Sequence, residues 1–426
     1  MRNTNEFTKH QIVIIGGGSA GITTAAQLLR KNKSLDIAII EPSEKHYYQP
    51  AFTLVGAGTY KMRKTIRDER DLIPQGAKWI KSSAKAIDPD NQTVTISDGT
   101  EIVYDYLVVA AGIQYDWDDI PGLKESIGKN GVTSNYDRRF TGYTWELLQN
   151  FKGGNVLFTQ PSTPIKCGGA PQKIMYLAED YFRKKGIRDK AHIIFATPGS
   201  VLFGVKKFAK TLNRIVQDRD IKAVYFHKLT EIRPDRKEAV FEITNEETGC
   251  KLIEQKEIIP GMEIHGEQKV VIPYEILHLA PPQSAPDFIK NSPLAVPGNP
   301  LGWVDVDKHT LQHVKYRNVF SLGDVSSTPN AKTAAAVRKQ APVLVQNLLS
   351  VMRQQTLQSN PVYNGYGSCP LVTAYGKMVL AEFDYENNPT PTFPFDTSKE
   401  RWTMWILKKY LLPWFYWNRM LKGYGA

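Results

Sequence analysis

Gln11-Ile-Val-Ile-Ile-Gly16-Gly17-Gly18-Ser-Ala-Gly21 runs straight into Ile22-Thr-Thr-Ala-Ala-Gln-Leu-Leu29. The β-branched run predicts a strand buried on both faces, as in a parallel sheet. The residues after Gly21 predict a helix. A bare G-x-G-x-x-G carries little weight, but between a strand and a helix it has the context its mechanism needs. Gly16 permits the tight turn, Gly18 lets a pyrophosphate approach the backbone, and Gly21 lets the helix pack close. The helix N-terminus then faces the phosphates.

A second predicted strand, Asp36-Ile-Ala-Ile-Ile40, ends in Glu41. That acid falls about twenty residues after the fingerprint, where a ribose-binding carboxylate belongs. Two later segments point to FAD rather than NAD. Tyr104-Asp-Tyr-Leu-Val-Val-Ala-Ala-Gly112 is a strand closing on small residues, and Arg317-Asn-Val-Phe-Ser-Leu-Gly-Asp324 ends in an acid. Both resemble the segments by which two-dinucleotide-fold flavoproteins return to the flavin, so the first domain is read as split. Lys332-Thr-Ala334-Ala335-Ala336-Val337 opens a helix whose N-terminus favours negative charge on a reduced ring.

The chain has 426 residues, 42% of them apolar and 23% charged, enough for two or three domains. Three cysteines are too few for a secreted disulfide scaffold, so a functional thiol is read as redox-active. The net charge of +11 suits an anionic partner. No nucleic-acid module is present and no metal site is read, which leaves an anionic membrane surface as the better match. The polar stretch 1–10 has no apolar h-region and reads as neither signal nor transit peptide. No run reaches the ~18 apolar residues of a spanning helix.

Gly153-Gly-Asn-Val-Leu-Phe158 predicts the first strand of a second α/β unit. A nicotinamide site would continue with glycines. This chain continues Thr159-Gln-Pro161-Ser-Thr-Pro164-Ile-Lys166-Cys167-Gly-Gly-Ala-Pro171, with prolines in place of phosphate-cradling amides. A helix is predicted from about Pro171, with Ile174, Met175, Leu177, Ala178, Tyr181 and Phe182 on its apolar face. Cys167 thus precedes a helix N-terminus and adjoins Lys166, two features that lower a thiol pKa. Residues 245–271 read as a charged, irregular surface excursion, and Cys250 within it is assigned no role.

The glycine segment 16–21, Lys166-Cys-Gly-Gly-Ala-Pro-Gln-Lys-Ile-Met-Tyr-Leu177 and Tyr366-Gly-Ser-Cys369-Pro-Leu-Val372 together resemble sulfide:quinone oxidoreductase, in the branch that includes the animal mitochondrial enzyme. Gly302–Asp307, Lys332–Val337 and Ala381–Tyr385 add to the resemblance, which spans nearly the whole chain. It implies an α/β fold of two tandem Rossmann-like, disulfide-reductase-like domains: residues 1–120 and 295–365 for FAD, 121–294 for the unit carrying Cys167, and 366–426 for a segment with Cys369 and amphipathic helices. It implies that Cys167 and Cys369 flank the flavin, joined by a disulfide or a sulfur-extended bridge. Cys167 is assigned as the flavin-facing thiolate and Cys369 as the carrier of sulfane sulfur. For FAD it implies Gly16, Gly17, Gly18 and Gly21, Glu41 on the ribose, Gln49, the Ala84 backbone on the adenine side, Gly112, Asp324, and Ala334 to Val337. The implied partners are hydrogen sulfide, ubiquinone and a small sulfur acceptor (glutathione, sulfite or sulfide). A homodimer is compatible with the resemblance, which does not decide the assembly.

Residues 401–426 hold four of the eight tryptophans, five Lys or Arg, and no acid. Pro413 is read as splitting them into two short helices that lie on a lipid interface. The expectation is a peripheral membrane protein, on the cytoplasmic face of a bacterial inner membrane or, for a processed organellar protein, on the mitochondrial inner membrane. The rival reading is a type II NADH:quinone oxidoreductase, which shares fold and acceptor. The loop at 159–171 and the paired cysteines argue against it.

Overall fold

A computed structural model describes residues 8–245, 252–266, 268–329, 332–358 and 360–424. The strand Thr8–Ile15 lies at the centre of the first sheet, parallel to Ile37–Ile40 on one side and Glu101–Val109 on the other. Ala77–Ile80 extends it beyond Ile37–Ile40, while Thr93–Ile96 and Ala84–Asp88 extend the other flank antiparallel. Ile12, Val13 and Ile14 are fully buried because core clusters cover both faces of the sheet. Much later in the chain, Val319–Ser321 pairs in parallel with Leu107–Val109. That late return splits the first domain.

The second sheet is parallel, in the order Val132–Thr133, Ile276–Leu279, Gly154–Thr159, Ala191–Ala196, Lys222–Val224. The helix Ala170–Lys184 packs on it, buried nearly all round. An antiparallel sheet, His227–Arg233, Glu238–Ile243, Lys269–Pro273 and Glu263–His265, caps this unit. The reading of 245–271 as irregular is therefore corrected. A helix spans Leu252–Ile258, and Val270, Ile259 and Met262 are core residues. Alternating charge and short strands hid the pattern. Cys250 lies outside the described residues.

The hairpin Gly367–Ala374 and Lys377–Phe383 packs against the helix Ala170–Lys184, sharing its core cluster. This packing brings Cys369 to Cys167. The C-terminal residues do not form two helices broken at Pro413. They follow one helical path from Trp402 to Met420, alternating α and π turns. Proline removes one donor from the ladder, and wide π turns can absorb that loss without a break. Trp402, Tyr410, Leu411 and Trp414 are 65%, 55%, 54% and 57% exposed. Tyr416, Trp417, Met420 and Leu421 instead join Ile12, Ile14, Ala20 and Ile22 in the core of the first domain. Among the described residues, no helix is long and apolar enough to cross a membrane.

Candidate active site

The glycine cradle has the close approaches its spacing implies. Gly16 has φ +104°, and a Cβ there would lie 2.4 Å from the Ala110 carbonyl oxygen. A Cβ on Gly21 would lie 1.8 Å from the Gly16 oxygen, so the helix Ser19–Lys31 can start only with glycine there. Gly18 faces open space. Glu41 accepts the Gly17 and Ser43 amides, each at 2.7 Å, and burial raises its carboxyl pKa. Ala84 opens an edge strand and packs on the cluster that holds Ile15 and Ile40. Gly112 follows the strand Glu101–Val109 at φ +74°.

The second arm of the split domain meets this cradle. A Cβ on Gly323 would lie 3.1 Å from Ala20 and 3.5 Å from Val337. The helix Ala334–Met352 packs along Ser19–Lys31 and is capped by Thr333, whose hydroxyl accepts the Ala336 amide at 3.1 Å. Its first turn, Ala334 and Ala335, opens into a cavity of about 410 Å³. Ala336 and Val337 are buried behind it.

Cys167 lines this cavity, and the buried Cys369 stands beside it. Their sulfurs stand 3.6 Å apart as free thiols. A Cβ on Gly169 would lie 2.6 Å from the Cys369 sulfur, so this glycine, out of fingerprint spacing, makes room for that sulfur. Cys167 has φ +54°, a left-handed conformation rare for a residue with a side chain. Lys173 donates to its sulfur at 2.9 Å. The Cys369 thiol hydrogen bond and then the Lys173 ammonium hold the Cys167 pKa well below the thiol range, against its burial. The same Cys167 contact, together with burial, pushes the Cys369 thiol well above that range. The pair is thus asymmetric, with ionisation favoured at Cys167 and disfavoured at Cys369.

Lys166, expected to activate Cys167, forms its ion pair with Asp324 at 2.9 Å while retaining a weaker electrostatic interaction with Cys167, and the lysine that hydrogen-bonds the Cys167 sulfur is Lys173. Lys173 stands in the first turn and a half of a helix buried nearly all round, next in sequence to Ile174 and Met175, and a lysine beside that apolar run was the available signal. Two further lysines were missed. Lys332 donates to the Asp324 and Ser326 carbonyls at 2.6 and 3.0 Å, and burial pushes its pKa down to about 8. Lys408 comes from the C-terminal helical path and donates to the Pro50 carbonyl at 2.8 Å. Burial, then repulsion from Lys173, pushes its pKa down to about 7.

The cavity continues past Lys408 to Leu411, Leu412, Trp414 and Phe415. Gln49 Oε1, Asn135 Nδ2 and the Tyr136 hydroxyl are buried in residues of its wall without protein partners. Buried polar atoms left so call for a ligand with hydrogen-bonding edges. An isoalloxazine has such edges, and the glycine cradle suits its pyrophosphate. The residues present therefore fit FAD.

A split Rossmann domain with this cradle, a second Rossmann-like unit and a cysteine pair at the shared cavity define a two-dinucleotide-domain flavoprotein oxidoreductase. Residues 10–142 match the pyridine nucleotide-disulphide oxidoreductase family. The mitochondrial sulfide:quinone oxidoreductase of Mus musculus is 48% identical over 417 residues, covering 97% of this chain and 87% of that protein. The corresponding protein of Dictyostelium discoideum is 47% identical, covering 99% of this chain and 88% of that protein. In fold, the chain is similar to the crystal structure of sulfide:quinone oxidoreductase from Aquifex aeolicus, with TM-score 0.79, 21% identity, and 97% and 92% of the two chains covered. The chain belongs to the sulfide:quinone oxidoreductase family, and its cofactor is FAD.

Proposed function

We propose that this protein oxidises hydrogen sulfide through a Cys167–Cys369 bridge and delivers the two electrons to a quinone drawn from a membrane. The observation that carries the reading is the 3.6 Å approach of the two sulfurs, with Lys173 donating to Cys167 at 2.9 Å. Hydrosulfide is anionic near neutral pH and attacks without a base. Attack at the Cys369 sulfur forms a persulfide there, breaks the bridge and releases Cys167 as a thiolate. A leaving thiol departs faster as its pKa falls, and the Lys173 ammonium beside the Cys167 sulfur favours its thiolate. Gly16 to Gly21, Glu41, Gln49, Ala84, Gly112, Asp324 and Ala334 to Val337 are the residues proposed to hold FAD. Bound FAD supplies the two-electron acceptor between sulfur and quinone.

A small nucleophile, such as glutathione, sulfite or a second sulfide, then takes the outer sulfur from Cys369, and the bridge re-forms. With sulfite as acceptor, hydrogen sulfide, sulfite and quinone combine in equal amounts to give thiosulfate and quinol. The two hydrogens and two electrons of the sulfide end on the quinol, and the sulfite dianion becomes the thiosulfate dianion, so atoms, charge and electrons balance. The apolar end of the cavity, from Leu411 to Phe415, suits a quinone ring and the start of its tail. The exposed Trp402, Tyr410, Leu411 and Trp414 suit a lipid interface, and the relatives named as mitochondrial favour a mitochondrial membrane as its site.

Anaerobic titration with sulfide is expected to bleach the flavin absorbance, and added quinone to restore it, while NADH does neither. Cys167→Ser and Cys369→Ser are each expected to lower sulfide-dependent quinone reduction by about 1,000-fold or more, a loss of ~4 kcal/mol in transition-state stabilisation. Near-normal turnover in either variant would sink the mechanism.

A further inference from the structure

The C-terminal helical path does two separable things. Its first part exposes aromatic side chains, and its last part is built into the first domain. The Tyr416 hydroxyl lies 2.7 Å from Ser19 Oγ, in the first turn of the fingerprint helix. It also lies 2.6 Å from His46 Nε2, and His46 Nδ1 lies 3.2 Å from Glu69 Oε2. Tyr416, His46 and Glu69 are 3%, 5% and 1% exposed. The other Glu69 oxygen has no partner, and a Cβ on Gly17 would come within 2.6 Å of it. One buried polar chain therefore touches the dinucleotide cradle at two points and ends on a C-terminal tyrosine.

Independent contacts hold the same helix from its outer side. A Cβ on Gly423, at φ +72°, would lie 2.7 Å from the Ala26 carbonyl carbon. The Tyr424 ring sits under the Arg30 guanidinium at 3.9 Å. The fingerprint helix is thus gripped at its first turn by Tyr416, at its middle by Gly423 and at its end by Tyr424. We propose that residues 416–424 are part of the FAD site, with Tyr416 as a positioning residue that holds Ser19 and His46 in place for the cofactor. FAD retention and seating of this segment are then linked equilibria, each favouring the other by the same factor.

The inference depends on FAD occupying the fingerprint and not on the sulfur chemistry or on lipid binding. Its test reads FAD itself. Tyr416→Phe keeps the ring but leaves Ser19 and His46 without their shared partner. Release of FAD, followed by the rise in free-flavin fluorescence, is expected to be about tenfold faster, the order of one lost buried hydrogen bond. Its partition onto anionic vesicles stays unchanged. The paired variant Trp402→Ser/Tyr410→Ser is expected to do the reverse, losing vesicles and keeping FAD. In the wild-type chain, amide exchange across 416–424 should quicken when FAD is stripped. A release rate within twofold of wild type, or equal exchange with and without FAD, would overturn the proposal. The exchange measurement needs no variant, so a folding defect in Tyr416→Phe leaves the test intact.

Discussion

Cys167 shows how one backbone angle organises the chemistry. Its left-handed conformation turns the chain so that its amide donates to the Lys332 carbonyl at 3.1 Å and its carbonyl accepts from Ala170 at 2.7 Å. Such a conformation costs about 1–3 kcal/mol in a residue with a side chain, and persists where neighbours over-determine it. The gain is placement: the sulfur turns back over the helix start, where Lys173 reaches it. A pH prediction follows from the lowered pKa. In the reduced protein, Cys167 stays a thiolate as pH falls from 8 to 6, so its alkylation by iodoacetamide should change little. An ordinary thiol with pKa near 8.5 would slow roughly 100-fold over that range. Lys173→Gln removes a cation that favours the ionised form, so the pKa rises and the rate again falls with acid. Cys369 should resist alkylation throughout, since it is buried and its thiol pKa is pushed up. Peptide mapping of the alkylated protein over pH checks all three outcomes. A flat profile retained in Lys173→Gln would mean the lysine does not set the ionisation.

The elements differ in how far the sequence announces them. The strand from Gln11 and its glycines were legible because the spacing carries steric demands, and the close approaches at Gly16 and Gly21 meet them. Cys369 was placed only through resemblance, since nothing local says that a β-hairpin will lie across the helix Ala170–Lys184. Lys173 and Lys408 escaped because a lysine is ordinarily read as solvated, and only tertiary packing buries these two at 4% and 3% exposure. The C-terminal path was legible in composition but not in allegiance. Its aromatic residues divide between solvent and core: Trp402, Tyr410 and Trp414 are exposed, while Trp405, Tyr416 and Trp417 are buried. Truncation after Glu400 would therefore remove core as well as surface. A cleaner variant is Trp402→Ser/Trp414→Ser, which touches only exposed rings. Burial of a large apolar side chain contributes roughly 1.5–3 kcal/mol, so losing two should weaken vesicle partition by about 100-fold or more. Co-sedimentation with anionic vesicles measures this, and unchanged partition would remove the aromatic patch from the membrane contact.

At the scale of the whole molecule, the chain is assembled around a shared cavity. The first domain is closed by a strand and helix that arrive after the second domain is complete. The second domain contributes Cys167 and Lys173, the hairpin contributes Cys369, and the C-terminal path contributes Lys408 and the apolar end. FAD in the cradle would touch both halves of the split domain, so it should stabilise the folded protein by mass action. At free FAD a hundredfold above its dissociation constant, the added stability is about 2.7 kcal/mol. The same experiment distinguishes the dinucleotides. In the second domain the loop from Thr159 to Ala170 carries Pro161 and Pro164, neither of which offers an amide, and Gly169 is taken up against the Cys369 sulfur. NADH finds no fingerprint there to match the one at Gly16. Thermal unfolding of the apoprotein should therefore shift upward with rising FAD, and a further addition of millimolar NADH should move it no more than a degree. A clear second rise with NADH would mean that the second domain still binds a nicotinamide dinucleotide, and would reopen electron supply from NADH as a rival to sulfide.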